Sequence, residues 1–356
     1  MSSPVDILLK SPVSWLADSG PDDDIAISSR IRLARNLATI PFPINADLAR
    51  RREVLEAVEQ AAGKTAFIEH PIRFEMSELN ELDRQFLLER RLVSREFCSG
   101  REGSALVVNA DESIGLMINE EDHIRMQVMR SGFVLKEIWT AINELDDRLS
   151  KELSFAFEER IGYLTSCPTN VGTGMRASVM LHLPALTLAG QIGAVVQGVG
   201  KLGLTVRGIY GEGSESIGNL YQVSNQSTLG ESEEQIVQRL DTIIRQIINH
   251  EKNARQRLIE TRKNFLLDNI GRAYGTLRYS YLLSSKEALN SLSSLRMGVD
   301  MSMFASLHIH TVNELFLMIQ PAHLQKYAKR MINSEERDAL RAEIMREKLQ
   351  ATKKSP

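Results

Sequence analysis

Five arginines stand in four short segments, SSRIR (Arg30, Arg32), NEEDHIR (Arg125), GTGMRASVM (Arg176) and TVRGIYGE (Arg207), and each segment reads as a turn or strand end. The arginine side chain is a planar, permanently charged fork that fits phosphate oxygens. Scattered arginines of this kind could hold a triphosphate and stabilise a transferring phosphoryl group. Any one of them reads more simply as a surface ion pair; five at element ends are harder to dismiss. The run Asn119, Glu120, Glu121, Asp122, His123 packs three acids just after an apolar stretch, and Glu212 and Glu215 lie in a glycine-flanked loop. An acidic run is commonly a solvated turn. Beside a loop able to close, these carboxylates could instead grip a cation. A guanidinium, with a pKa of about 12.5–13.8, is a poor nucleophile until its proton is taken. Two flanking carboxylates would orient it, and one would act as base. In LTSCPTNVGTGMR, Cys167 sits between an apolar segment and a glycine-rich turn near Arg176. A nearby cation and free backbone N–H groups lower a thiol pKa. The alternative is a loop cysteine without a role. An exposed thiolate there would add negative charge to a guanidinium clamp and would need no covalent intermediate.

Composition narrows the classes. A net charge of −3 argues against general nucleic-acid binding, which needs a basic excess. Yet the basic residues are skewed to 30 arginines against 13 lysines. No apolar run is long enough to span a bilayer, and MSSPVDILLKSPVSW lacks the features of a secretory signal. Two cysteines, Cys98 and Cys167, are too few for a disulfide framework, so a cytoplasmic protein is expected, with Cys98 structural or incidental. The P-loop pattern G-x-x-x-x-G-K-[ST] is missing: from Gly193 the sequence meets Gly198 and then Val199. Neither H-R-D nor D-F-G occurs as in eukaryotic-type protein kinases.

The elements that must position these residues follow from periodicity. Residues 1–23 read as a proline-punctuated arm. Ala46–Ala62 reads as an amphipathic helix, and Ser77 as the cap of a second helix running to about Val93. Ala105–Asn109 and Ile114–Asn119 read as strands and Val134–Leu149 as a strong helix. Ala177–Leu183 alternates as a strand before a helix starting at Pro184, and Leu204–Ile209 and Leu220–Ser224 read as two more strands. Beyond Glu231 the pattern is helical, with Ile236–Ile248 a core or domain-contact stripe. The expected fold class is α+β: an antiparallel sheet flanked by helices, followed by an all-helical C-terminal domain. His308 and His310 could form a metal-binding strand pair, but two histidines without further ligands read as ordinary surface residues.

SSRIRLARN, NEEDHIR, CPTNVGTGMRA and the VRG segment with its acidic loop, in that order, resemble the catalytic domain of the phosphagen (guanidino) kinases. The resemblance implies the guanidino kinase catalytic-domain fold over residues 24–254, with ATP as donor and Mg2+ as its ion. It implies nucleotide binding by Ser28, Ser29, Arg30, Ile31, Arg32, Arg91, Arg125, Arg176, Ala177, Ser178, Val179, Met180, Arg207, Gly208, Ile209, Tyr210 and Gly211. It makes Glu121 the guanidinium-binding base, Glu212 the acidic residue of the closing loop and Cys167 the reactive cysteine. No protein side chain is identified as a metal ligand. Arg91, in ERRLVSRE, occupies a position where related proteins often carry a nucleotide-contacting histidine.

The departures bear on the acceptor. The small-molecule members carry an N-terminal helical domain that closes over free substrate, whereas this chain reaches SSRIR early and has a helical region at 255–356 instead. That layout is similar to the bacterial protein-arginine kinases. RDALRA matches their R-D-x-x-R-A motif, which implies phosphoarginine binding by Arg337, Asp338, Arg341 and Ala342. On spacing alone this helix, with an Asn333/Glu336 capping box, reads as a solvated face of ion pairs. The resemblance further implies protein substrates with exposed arginines, among them a stress-gene repressor. It implies a zinc-binding activator protein (McsA), the ClpC–ClpP protease as reader of the mark, and a homodimer or higher homo-oligomer. The alternatives are a kinase of a free guanidino metabolite and a non-catalytic phosphoarginine-binding adaptor.

Overall fold

The structure, a computed structural model, describes residues 3–10, 13–17, 19–65, 67–68, 70–208 and 216–351. Eight strands form one antiparallel sheet in the order β2-β3-β4-β5-β1-β8-β10-β9. They are β1 (Ala26–Arg35), β2 (Ile72–Glu75), β3 (Ala105–Val108), β4 (Ile114–Ile118), β5 (Ile124–Ser131), β8 (Met175–His182), β9 (Leu204–Gly208) and β10 (Leu220–Asn225). A separate small hairpin joins β6 (Phe157–Glu158) to β7 (Gly162–Tyr163). The helices are α1 (Ser14–Ala17), α2 (Leu48–Thr65), α3 (Glu81–Glu89), α4 (Leu135–Ser150), α5 (Pro184–Leu188) and α6 (Ile192–Lys201). They continue as α7 (Glu233–Thr261), α8 (Lys263–Tyr279), α9 (Ser285–Asp300), α10 (Ile309–Met318), α11 (Pro321–Ala328) and α12 (Ser334–Ala351).

One face of the sheet is fully covered. Ile31, Leu33, Leu116, Met126, Val128, Ala177, Val179 and Val223 point into a core shared with Val54 and Val58 of α2, Ile138 and Leu145 of α4, and Leu240 and Ile244 of α7. The stripes at i, i+3, i+4 and i+7 on α4 and α7 make those helices fit that face. A capping box starts α7: Gln235 N–H donates to Ser232 Oγ at 3.3 Å and Ser232 N–H to Gln235 Oε1 at 2.9 Å.

The other face is covered only at its margins. At one margin Phe74, Leu106, Val108 and Met117 pack under Phe86 and Leu87 of α3 and under Val5 and Leu8 of the N-terminal arm. At the other, Ile27, Met129, Met180 and Leu220 pack under Trp15 and the C-terminal helices. Helices therefore flank both faces, and the segment read as an arm is packed structure over much of its length. The stretch of sheet left between these lids holds the arginines.

Both ends of α3 differ from the sequence reading. Asn80, and not Ser77, caps α3, its Oδ1 accepting from Asp83 N–H at 2.9 Å, because residues before it are held in a turn by Met76 N–H to Ser104 O and Glu78 N–H to Glu75 O. The same helix stops at Arg90: Arg91 takes a left-handed φ of 63°, and Leu92 N–H closes back on Leu87 O at 3.1 Å. Farther on, α7 is continuous through residue 255, and the chain breaks at Arg262 (φ −140°), where α8 begins.

Candidate active site

Strand alternation puts Arg30 and Arg32 on the open face of β1 while Ile31 and Leu33 point to the core. Both arginines lie in mid-strand, in the middle of the sheet, and not at an element end as expected. Arg32 stands opposite Arg176 of β8 and Gln127 of β5; Arg30 stands opposite Ser178 and Met129. Arg125 begins β5 next to the acidic turn, and Arg207 lies on β9 opposite Gln222. Arg32, Arg125, Arg176 and Arg207 line one cavity of about 550 Å³, together with Glu120, Glu121 and Ser166. Arg30 lies deeper, in a small cleft with Ser28, Arg91, Ser178 and Met180. The expected residues Ser29, Ile31, Ala177 and Val179 turn their side chains to the opposite face. Three of them belong to the core, and Ser29 Oγ donates to Gly132 O at 2.8 Å.

Burial of like charges dominates the electrostatics of this floor. Burial, and then Arg91, Arg176 and Arg125, push Arg30 down to about 9. Arg32 is pushed well below its ordinary value by burial and by Arg30, Arg125 and Arg176. Arg176 is lowered by burial and by Arg207 and Arg125. Among the described residues neither Arg30 nor Arg32 has a carboxylate partner, and the Nε atoms of Arg32 and Arg176 are buried without a hydrogen bond. Buried cations without partners are costly. An anion with several oxygens would satisfy them, so the donor set fits a nucleotide's phosphates. Mg2+ would be held there through phosphate oxygens and water, its usual mode.

The acidic turn closes the other side of the cavity. Asn119 (φ 59°) bends the chain between β4 and β5, and its Nδ2 donates to Arg51 O and Gly103 O, each at 2.7 Å. Glu120 is a brace: it takes Arg125 Nη1 on both oxygens at 2.6 and 2.7 Å and Ser94 Oγ at 2.5 Å. Asp122 Oδ1 accepts from Asn36 Nδ2 and from Ser166 N–H, each at 2.7 Å, tying the turn to the cysteine loop. His123 Nδ1 accepts from Leu37 N–H at 3.0 Å, so its proton resides on Nε2, facing Pro41 O; burial lowers its pKa and keeps it neutral scaffolding. Glu121 alone in the run is substantially free, its side chain 42% exposed and 3.9 Å from Arg125 Nη2. Burial raises its pKa above the ordinary 4.5; Arg125 opposes this, and Asp122, Glu120 and Glu96 add to it. Its carboxylate is thus the one in the turn available to a ligand and poised to take a proton.

Cys167 follows Ser166 and precedes the short 3-10 turn Pro168–Asn170, with its thiol half-buried and 3.0 Å from Thr169 Oγ1. Glu212, Ile209, Tyr210 and Gly211 lie outside the described residues; Gly208 ends β9 opposite Tyr221. The sequence reading missed the cavity wall formed by Ser94, Glu96 and Arg101. The nearest signal was the segment around Arg91, where the chain leaves α3.

In the C-terminal region Asn333 and Glu336 form the expected capping box, with both reciprocal bonds at 2.9 Å. Arg337 donates to Ile332 O at 2.9 Å, and Asp338 takes Arg341 Nη1 at 2.5 Å. Arg341 is 1% exposed and also donates to Leu283 O at 2.6 Å and Ile319 O at 3.2 Å; Ala342 is fully buried in the helical core. Arg337 and Asp338 are therefore the accessible members of the motif, while Arg341 and Ala342 hold the fold beneath them. His308 and His310 start α10 and form no strand pair, and no group of three or more potential metal ligands occurs among the described residues.

An antiparallel sheet that presents Arg32, Arg125, Arg176 and Arg207 to a cavity closed by a free glutamate, with Arg30 in the adjoining cleft, defines a guanidino phosphotransferase site. The model of the ATP:guanido phosphotransferase C-terminal catalytic domain matches residues 53–254, and that of the protein-arginine kinase McsB C-terminal domain matches residues 263–356. The chain is 45% identical over 345 residues to the protein-arginine kinase of Halothermothrix orenii, covering 97% of this chain and 98% of that one. It is 48% identical over 344 residues to the protein-arginine kinase of Syntrophomonas wolfei, covering 95% of each. Among solved structures it is similar to lombricine kinase (TM-score 0.56, 25% identity, 67% of this chain and 68% of that one). It is also similar to the duplicated taurocyamine kinase of Schistosoma mansoni (TM-score 0.57, 26% identity, 69% of this chain and 35% of that one). The chain belongs to the protein-arginine kinase family.

Proposed function

We propose that this chain transfers the γ-phosphoryl group of ATP to arginine side chains of proteins. The observation that carries the reading is a single cavity where Arg32 and Arg176 have no carboxylate partner among the described residues and where a free, proton-accepting carboxylate, Glu121, stands on the wall. Arg30, Arg32, Arg125, Arg176 and Arg207 hold the phosphates of the donor, with Arg91 beside Arg30 and Mg2+ carried on the phosphate oxygens. Glu121 takes the acceptor's proton, the guanidinium nitrogen forms a bond to γ-phosphorus, and the bond to the ADP oxygen breaks with its electrons leaving on ADP. The arginines offset the charge that develops on the transferring group. Glu212, by its place in the family motif, is the second carboxylate on the guanidinium, and the Cys167 thiolate adds charge to the same clamp.

We assign the catalytic part to residues 24–254, with the described residues of 1–23 packed against it, and a phosphoarginine-binding part to 255–356. Arg337 and Asp338 receive the product group there. In the cell we place the protein in the cytoplasm as a homo-oligomer. It acts on proteins with exposed arginines, including a stress-gene repressor, with the zinc-binding McsA as activator and ClpC–ClpP as reader of the mark. Among the described residues no helix is long and apolar enough to cross a membrane. The test compares catalytic efficiency on a folded protein with that on free arginine. The protein should be much the better acceptor, since free arginine brings little remote binding energy to orient it. Equal efficiencies would favour a metabolite kinase, and no transfer to either would favour an adaptor.

A further inference from the structure

We propose that Arg35 is a positioning residue that holds the Cys167 loop at the active site; the catalytic consequence rests on the function proposed above. Arg35 ends β1 with its side chain on the face opposite Arg30 and Arg32, and it is 1% exposed. The loop of residues 164–171 is closed at its neck by Tyr163 and Gly172, which exchange backbone hydrogen bonds at 2.7 and 3.2 Å. Arg35 touches both legs of that neck. Its guanidinium stacks over the Tyr163 ring, 3.4 Å from the centroid, and its Nη1 donates to Thr173 O at 2.9 Å on the returning leg. Asp146 of α4 fixes the fork by accepting from Nε at 3.1 and 3.2 Å and from Nη2 at 2.6 Å. The neighbouring Gly174 (φ +62°) leaves room for it: a Cβ there would come within 2.7 Å of Arg35 Nη1 and 2.6 Å of Ala34 O.

Two other anchors hold the loop's far side. Thr228 Oγ1 donates to Thr169 O at 3.0 Å and Val171 O at 2.7 Å, and Asp122 holds Ser166 N–H. Arg35 is the β1 side chain that grips both legs of the neck. Ala34 N–H to Gly174 O at 2.9 Å and Asn36 Nδ2 to Leu164 O at 3.1 Å add to the tie between the loop and the strand that carries Arg30 and Arg32 on its other face. One strand thereby sets the distance between phosphate floor and thiol. The geometry needs a guanidinium, because a lysine ammonium cannot stack flat on the ring and bind Asp146 with two nitrogens at once.

The test is Arg35→Lys in the full chain, read first by a measurement independent of catalysis. Alkylation of Cys167 by iodoacetamide, followed by peptide mass spectrometry, should speed up several-fold. Cys98, bound to Ser94 O and Arg84 O far from this loop in sequence, is the internal control and should keep its rate. Turnover should fall roughly tenfold to a hundredfold with ATP affinity nearly unchanged, as expected for a misplaced group outside the nucleotide floor. Adding Cys167→Ser to Arg35→Lys should lower turnover little further, because both changes act on one thiol. Should the lysine variant not fold, Tyr163→Leu removes the stacked ring from the neck and should give the same selective exposure of Cys167. Unchanged Cys167 alkylation, or equal acceleration at both cysteines, would overturn the assignment. Faster Cys167 alkylation with unchanged turnover would uphold the positioning role and contradict the part given to the thiol in transfer.

Discussion

Glu121 and Glu120 are neighbours with opposite employment, and the difference is made by partners. Glu120 has both oxygens on Arg125, whereas Glu121 faces the cavity with no close hydrogen bond to its carboxylate among the described residues. Glu121→Gln should therefore nearly abolish transfer while ATP binding, measured by calorimetry, survives. Turnover within threefold of wild type would sink the assignment. Because burial raises the Glu121 pKa and the base must be ionised, activity should rise with pH through a midpoint above the ordinary 4.5. Glu96 contributes to the raising, so Glu96→Gln should move that acid limb to lower pH; a shift upward would contradict the charge pattern. Cys167→Ser should be impaired yet active, as suits an electrostatic helper, and alkylation should inhibit more because it also fills the pocket. A trapped phosphocysteine would overturn that role. At this scale the sequence was informative, since residue type and order offered the acidic run, Cys167 and five arginines as candidates, and the family resemblance singled out Glu121 within the run. It was silent on Glu96 and on the bracing by Ser94 and Asn36, because those depend on which loops the fold brings to one wall.

β1 shows how an element can serve two purposes. Its alternation of arginine with isoleucine and leucine gives one face to the core and the other to the cavity, and it is legible in SSRIRLAR once the strand is known to be central. Placing those arginines at a strand end ignored that a buried strand can carry charge where no helix covers it. The ends of α3 were misjudged for a related reason: the Ser104 contact that holds the preceding turn and the left-handed Arg91 are tertiary and backbone facts without a strong local signal. The physics of the floor yields a stability prediction. Arg32 is half-buried among like charges, so Arg32→Met should raise the stability of the ligand-free protein by about 1 kcal/mol. The same variant should lose the stabilisation of about 2.7 kcal/mol that a nucleotide at a hundredfold over its Kd gives wild type. Thermal unfolding with and without MgADP checks both. A destabilised variant that still responds to MgADP would mean that Arg32 supports the fold and not the ligand.

Over the whole molecule, the C-terminal helices are packed onto the catalytic sheet. Arg296 of α9 is fully buried and donates to Asp24 O at 2.7 Å, His182 Nδ1 at 3.1 Å and Asn313 Oδ1 at 2.9 Å, joining the start of β1, the end of β8 and α10. The sequence revealed a helical region with an arginine motif. It did not reveal that Arg341 lies beneath the surface, because i, i+4 spacing cannot tell an exposed stripe from one covered by another segment. Arg341→Ala should consequently cost about 1–3 kcal/mol of stability for each of the Leu283 and Ile319 carbonyls that it strands in the interior. Arg337→Ala should cost far less stability, and Arg337→Ala with Asp338→Ala should weaken phosphoarginine binding by well over tenfold, at about 1.5–3 kcal/mol for each charge-assisted contact, although losing Asp338 also takes the carboxylate from buried Arg341. Denaturant unfolding and calorimetric titration with phosphoarginine separate the two; unchanged binding in the double variant would return this helix to a face of ion pairs. The central claim is tested most directly by incubating the protein with Mg2+, γ-labelled ATP and a folded, arginine-rich protein, and locating the label. The account predicts acid-labile phosphate on arginine side chains, absent with Glu121→Gln. Label on serine, threonine or tyrosine, or arginine phosphate made equally by the Gln variant, would contradict it.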